Sequence, residues 1–97
     1  MQTTAVRKWN YGHYQSDNYG AHSLAVDIGT VTFYFSYDTV IGFHEAGHTR
    51  KVSENVWTVT TGKHLNWVEP VKSRRLPHDI FQKELDDCLA RHNLKVS

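Results

Sequence analysis

A single cysteine, Cys88, in a chain of 97 residues excludes an internal disulfide and any zinc ribbon or finger built on several thiolates. A lone thiol also fits a reducing compartment. Charge of one sign is equally scarce: 11 Lys and Arg against 10 Asp and Glu leave a net charge of +1, so no overall field recruits nucleic acid or an acidic membrane surface. Long hydrophobic runs are missing too. No segment approaches the roughly 20 apolar residues that span a bilayer, and residues 1–8 lack the apolar stretch of a signal peptide. The sequence thus predicts a soluble cytoplasmic protein with no membrane association. At this length it makes one domain with a modest core, burying about 60–70% of the surface exposed by the unfolded chain. Histidine, by contrast, is plentiful, with 7 copies that make the chain clearly cationic at about pH 6.

Order is most visible at residues 30–37, where Val31, Phe33, Phe35 and Tyr37 alternate with Thr30, Thr32, Tyr34 and Ser36. A period of two in β-branched and aromatic residues predicts a strand. Residues 23–28 alternate in the same way through Leu24, Val26 and Ile28, and Gly29 with Thr30 supplies a tight turn between the two. Residues 40–44 continue as a strand, 45–48 reverse with Gly47 able to take a positive φ, and 49–52 return. Further alternation predicts strands at 56–60 and 64–68, joined by a turn at Thr61, Gly62 and Lys63. An edge strand falls within residues 1–8. Residues 9–22, rich in Gly, Asn, Asp and Ser, form a loop carrying the aromatics Trp9, Tyr11, Tyr14 and Tyr19.

From Pro77 onward the period changes. Phe81, Leu85, Cys88, Leu89 and His92 fall at helical spacing, with Leu76 and Ile80 at the edge of the stripe. Pro77 suits a first helical turn, and acids precede bases along the segment, the order a helix dipole favours. The expected fold is therefore α+β: an antiparallel meander of five or six strands with one C-terminal amphipathic helix packed on it. Its parts are an N-terminal segment and aromatic loop (1–22), the sheet (23–68), a basic connector (69–76) and the helix (77–94).

Residues 44–48, His-Glu-Ala-Gly-His, match the H-E-x-x-H pattern of zinc peptidases. That chemistry requires a helix, on which His44 and His48 share a face and reach one ion while Glu45 activates its water. Thr39, Val40 and Ile41 are β-branched and Gly42 follows, a poor start for a helix. Gly47 would cost about 1 kcal/mol in mid-helix. No spacing selects a third ligand, although Glu54, His64 and Glu69 have suitable chemistry. The segment reads instead as a hairpin tip, with His44 and His48 as a metal pair only in the alternative peptidase reading. No cofactor is expected.

Other candidates are weaker. Gly62-Lys63 lacks the glycine spacing of a phosphate-binding loop. Cys88 and His92 lie one helical turn apart, yet both belong to the stripe that faces the sheet, so Cys88 reads as a buried structural thiol. Basic residues beside aromatics, Arg7 and Lys8 ahead of Trp9, with Arg74 and Arg75 in the connector, give an alternative nucleic-acid surface.

Residues 11–22 (Tyr-Gly-His-Tyr-Gln-Ser-Asp-Asn-Tyr-Gly-Ala-His), 34–37 (Tyr-Phe-Ser-Tyr), 55–57 (Asn-Val-Trp) and 60–66 (Thr-Thr-Gly-Lys-His-Leu-Asn) carry a resemblance. Together they resemble a family of small uncharacterised proteins encoded by phages, plasmids and related mobile elements. The resemblance implies a loop around residues 44–48 and transfers no catalytic residue. It also implies company with small phage proteins that inhibit host defence by binding a protein complex, anti-CRISPR proteins being the familiar example. The function expected is non-enzymatic binding of a host protein complex, with Tyr11, Tyr14, Tyr19, Glu45 and His48 as contacts. Nucleic-acid binding and zinc peptidase activity are the alternatives, and the sequence does not specify an oligomeric state.

Overall fold

A computed structural model describes residues 6–11, 23–57 and 59–94. Five antiparallel strands lie side by side in chain order: β1 (Val6–Asn10), β2 (Ser23–Ile28), β3 (Val31–Ser36), β4 (Thr39–Glu45) and β5 (Lys51–Val52). Two helices follow, α1 (Val59–Val68) and α2 (His78–Arg91), separated by a 3-10 turn, Lys72–Arg74. The α+β class, the antiparallel sheet and the C-terminal helix are those the sequence predicts. Gly29 and Gly47 both take positive φ at their reversals, 61° and 84°, a region that glycine enters at little cost.

The sheet buries both faces. Val31, Phe33, Val40 and Phe43 meet Phe81, Leu85 and Cys88 of α2 on one side. Tyr11, Ala25, Tyr34, Ile41 and Val52 meet Leu65 and Val68 of α1 on the other. A register shift in β4 reconciles the two cores: Tyr34 pairs with Gly42 and Phe35 with Val40, leaving Ile41 as an extra residue. This bulge lets Val40 and Phe43, three apart, face the same helix while Ile41 turns to the other. On the α1 side, one row across all five strands runs Trp9, Ala25, Tyr34, Gly42, Val52. Large and small residues alternate along it. A Cβ on Gly42 would lie 3.1 Å from Val52 Cγ2 and 3.3 Å from Val68 Cγ1, so the missing side chain is what admits the end of α1.

Helix α1 replaces the two strands expected at 56–60 and 64–68. Among its described side chains the buried positions are Thr61, His64, Leu65 and Val68, the i, i+3, i+4, i+7 spacing of one helical face. Half of that stripe is polar. Ser36 of β3 compensates: its Oγ lies 2.6 Å from His64 Nδ1 and 3.0 Å from Thr61 Oγ1, so these buried groups sit within a hydrogen-bonded network. Trp9 likewise belongs to β1 and not to a loop.

The connector carries the chain from one face to the other around the short β5 edge. Leu76 N donates to Val52 O and Glu54 N donates to Leu76 O, both at 2.8 Å. These bonds give the edge a partner that limits pairing with other chains. In α2, Phe81, Leu85 and Cys88 are buried as the periodicity predicts, whereas Ile80 is 48% exposed.

Candidate functional site

Where β4 ends, strand geometry divides the His-Glu-Ala-Gly-His segment. Successive side chains of a strand point to opposite faces, so His44, paired with Thr32, faces the α1 side, and Glu45, paired with Val31, faces the α2 side. Ala46 and Gly47 then turn, and His48 N closes on Glu45 O at 3.0 Å. No helix forms over 44–48, so the shared face on which a peptidase helix holds its ion is absent here. Two separate surface depressions flank the turn, and His48 borders both.

The first depression lies on the α1 side, at the end of the sheet that α1 leaves open. It measures about 550 Å³ and is lined by His44, His48, Thr49, Arg50, Glu69 and Arg74. Arg50 is fixed there by two contacts: Nη1 donates to Val68 O, and the guanidinium lies 5.1 Å from the Tyr34 ring centroid. Stacking of this kind leaves further N–H donors available to a ligand. Glu69 follows the last residue of α1, and its Oε1 is buried without a hydrogen-bond partner. A buried carboxylate oxygen left in that state costs free energy that an incoming donor would recover.

A polar row continues from this depression along the same sheet face: His44, Thr32, Asp27, Arg7. Asp27 is its hub. It accepts from Thr32 Oγ1, from Arg7 Nε at 3.0 Å and from Trp9 Nε1 at 3.2 Å. These donors, Thr32 foremost, hold its carboxyl below the usual range against an opposing effect of burial.

The second depression lies on the α2 side, lined by Glu45, His48, Lys51, Glu84, Arg91 and His92. Glu45 Oε1 accepts from Arg91 Nη2 at 2.6 Å, and Oε2 lies 2.9 Å from His92 Nε2. The His92 contact is the main cause of a lowered Glu45 pKa, with Arg91 adding to it. Behind them, Cys88 is fully buried. Desolvation, with the Glu45 charge adding to it, pushes its thiol up to about 11, the opposite of an activated nucleophile. One ligand atom from each of Glu45, Cys88 and His92 lies within 4.8 Å of the others, the one such grouping of metal-ligating side chains among the described residues.

The predicted contact residues fare unevenly. His48 is exposed at the turn, as expected. Tyr11 is fully buried, its hydroxyl donating to Phe35 O at 2.7 Å, so it is a core residue and not a contact. Glu45 is engaged by α2, and Tyr14 and Tyr19 lie outside the described residues. Of the basic set, Arg74 joins the first depression and Arg7 lies farther along the same face, paired with Asp27 at 2.8 Å. Lys8 falls on the opposite side of β1. Arg75 is occupied within the fold, donating to Glu69 O at 3.0 Å and Asn66 Oδ1 at 2.9 Å. Sequence reasoning missed Arg50 and Glu69 as neighbours, because one precedes β5 and the other follows α1; only knowing that 59–68 is a helix brings them together.

The chain belongs to a family described as a family of unknown function (DUF8033), which matches residues 6–83 and so spans the sheet, α1, the connector and the start of α2. Comparison with curated proteins and with solved structures finds no match. Among the described residues, no helix is long and apolar enough to cross a membrane.

Proposed function

We infer that the protein is a non-enzymatic binding protein that seats a mixed-charge segment of a partner protein in the depression between Arg50, Arg74, His44 and Glu69. The observation that carries this reading is the unpartnered Glu69 Oε1 beside two arginines. The arginines call for a carboxylate, and Glu69 calls for a donor such as a backbone N–H or a lysine. A peptide segment supplies both. The phosphates of a nucleic-acid backbone supply only acceptors and would set their charge against Glu69. The resemblance to proteins of phages and mobile elements makes a host defence complex the expected partner, inhibited by occupation of its surface, with Tyr14 and Tyr19 as further contacts.

The test is to isolate the protein from cells of its host, identify the retained partner, and measure binding with both purified. Replacing Arg50 and Arg74 together by Ala is expected to weaken binding by tenfold or more, the effect of losing one or two interface anchors at about 1–2 kcal/mol each. Unchanged affinity in the double variant contradicts the reading. So does retention of nucleic acid in place of protein, released steeply as salt is raised.

A further inference from the structure

The second depression contains a set of donors that an ion pair does not need. Glu45, Arg91 and His92 already satisfy one another, yet the Cys88 sulfur sits behind them, with one donor atom of each of Glu45, Cys88 and His92 within 4.8 Å of the others. We propose that Glu45, Cys88 and His92 bind a divalent transition ion of the zinc type, with the exposed His48 as the fourth donor.

Three observations support the assignment. Cys88 and His92 are four residues apart at the end of α2, a spacing that presents thiol and imidazole on one face. Glu45 arrives from β4 and is held by Arg91 through Oε1, leaving Oε2 directed at His92. An outer partner that fixes a ligating carboxylate is a regular feature of metal sites. His48 lines the same depression as Glu45 and His92, so it borders the route by which an ion enters. Thiolate, imidazole and carboxylate are the donors zinc takes, at about 2.0–2.3 Å in a tetrahedron, with donors about 3–4 Å apart. The Glu45, Cys88 and His92 donor atoms, now within 4.8 Å of one another, must draw together to reach that spacing, and His48 must turn in from the rim.

Binding is a ligand exchange with no redox step. The Cys88 S–H bond breaks, its proton passes to solvent, and a sulfur–metal bond forms. His92 Nε2, the donor in the contact with Glu45 Oε2, releases its proton to solvent with Nδ1 left as the protonated ring nitrogen, and Nε2 and Oε2 both turn to the ion. Thiolate and carboxylate together balance the 2+ charge, and Arg91 remains on Oε1. The arrangement differs from a peptidase site, because His44 faces the other side of the sheet and takes no part.

Cobalt(II) titration of the reduced full-length protein tests this. The expected result is one ion per chain, with the intense visible bands of a tetrahedral site and a thiolate-to-cobalt charge-transfer band in the near ultraviolet, both removed by stoichiometric zinc. Cys88→Ser is expected to abolish the charge-transfer band. His92→Gln, at a half-buried position that keeps the fold, is expected to weaken binding by about 10–100-fold or more, and it serves as the reading if Cys88→Ser fails to fold. Absence of the spectrum overturns the proposal. Cobalt affinity unchanged in His92→Gln, or a spectrum abolished by His44→Ala, overturns it equally by placing the ion elsewhere.

Discussion

Asp27 shows how one side chain can set the acid limit of the whole row. Its carboxylate gathers Thr32 from β3 and Arg7 and Trp9 from β1, the two strands that flank its own, and these bonds lower its pKa. A group whose folded pKa is depressed stabilises the fold above its unfolded value, about 4 for Asp, and loses that contribution as pH falls through the folded value. Asp27→Asn should therefore lower stability at neutral pH by about 1.5 kcal/mol, the lower end of the range for a hydrogen bond to a charged group. The deficit should shrink below about pH 4. Urea denaturation of both proteins across pH measures it; a deficit that persists unchanged into acid would assign the effect to packing.

At the scale of elements, β2, β3 and β4 were legible because alternation and turn residues agree. Val31 and Phe33 alternate with Thr32 and Tyr34, and Gly29 and Gly47 mark the reversals. Helix α1 was not legible. Among its described side chains, two of the four buried positions are Thr61 and His64, which a hydrophobicity pattern does not count, and Ser36, the residue that accommodates them, is supplied by another element. The spacing 61, 64, 65, 68 was the available signal, obscured by Gly62 and by the β-branched residues around it. Gly62→Ala tests the element directly. In a helix the exchange favours the folded state by up to about 1 kcal/mol. The new Cβ meets the Asn55 side-chain nitrogen at 3.0 Å, so Asn55, whose Oδ1 accepts from Trp57 N at 2.9 Å, must shift by a few tenths of an ångström. The two effects oppose each other, and stability should change by less than about 1 kcal/mol. A hairpin-turn glycine with positive φ at this position would make the same variant clearly destabilised.

For the molecule as a whole, the placing of its polar side chains follows from how the layers are stacked. Helices on opposite faces of one sheet, linked around β5, place His44 and Glu45 in different environments although they are neighbours in sequence. Little of this was legible. The Arg91 and His92 partners of Glu45 lie 46 and 47 residues away, and Glu69 joins Arg50 only through the end of α1. The basic residues also separate by face, so the near-neutral total hides a local excess of cations around a single acid. That local excess, and not net charge, decides what the depression can hold.

The most direct test places a photocrosslinking amino acid, p-benzoylphenylalanine, at Thr49, which is exposed and lines the depression. The same residue at Ile80, exposed on the outer side of α2, serves as the control. Irradiation in host cells is predicted to join the Thr49 variant to one protein, with the yield falling when Arg50 and Arg74 are also replaced by Ala. Crosslinks to nucleic acid, or a pattern no different from the Ile80 control, would contradict a binding protein working through this depression.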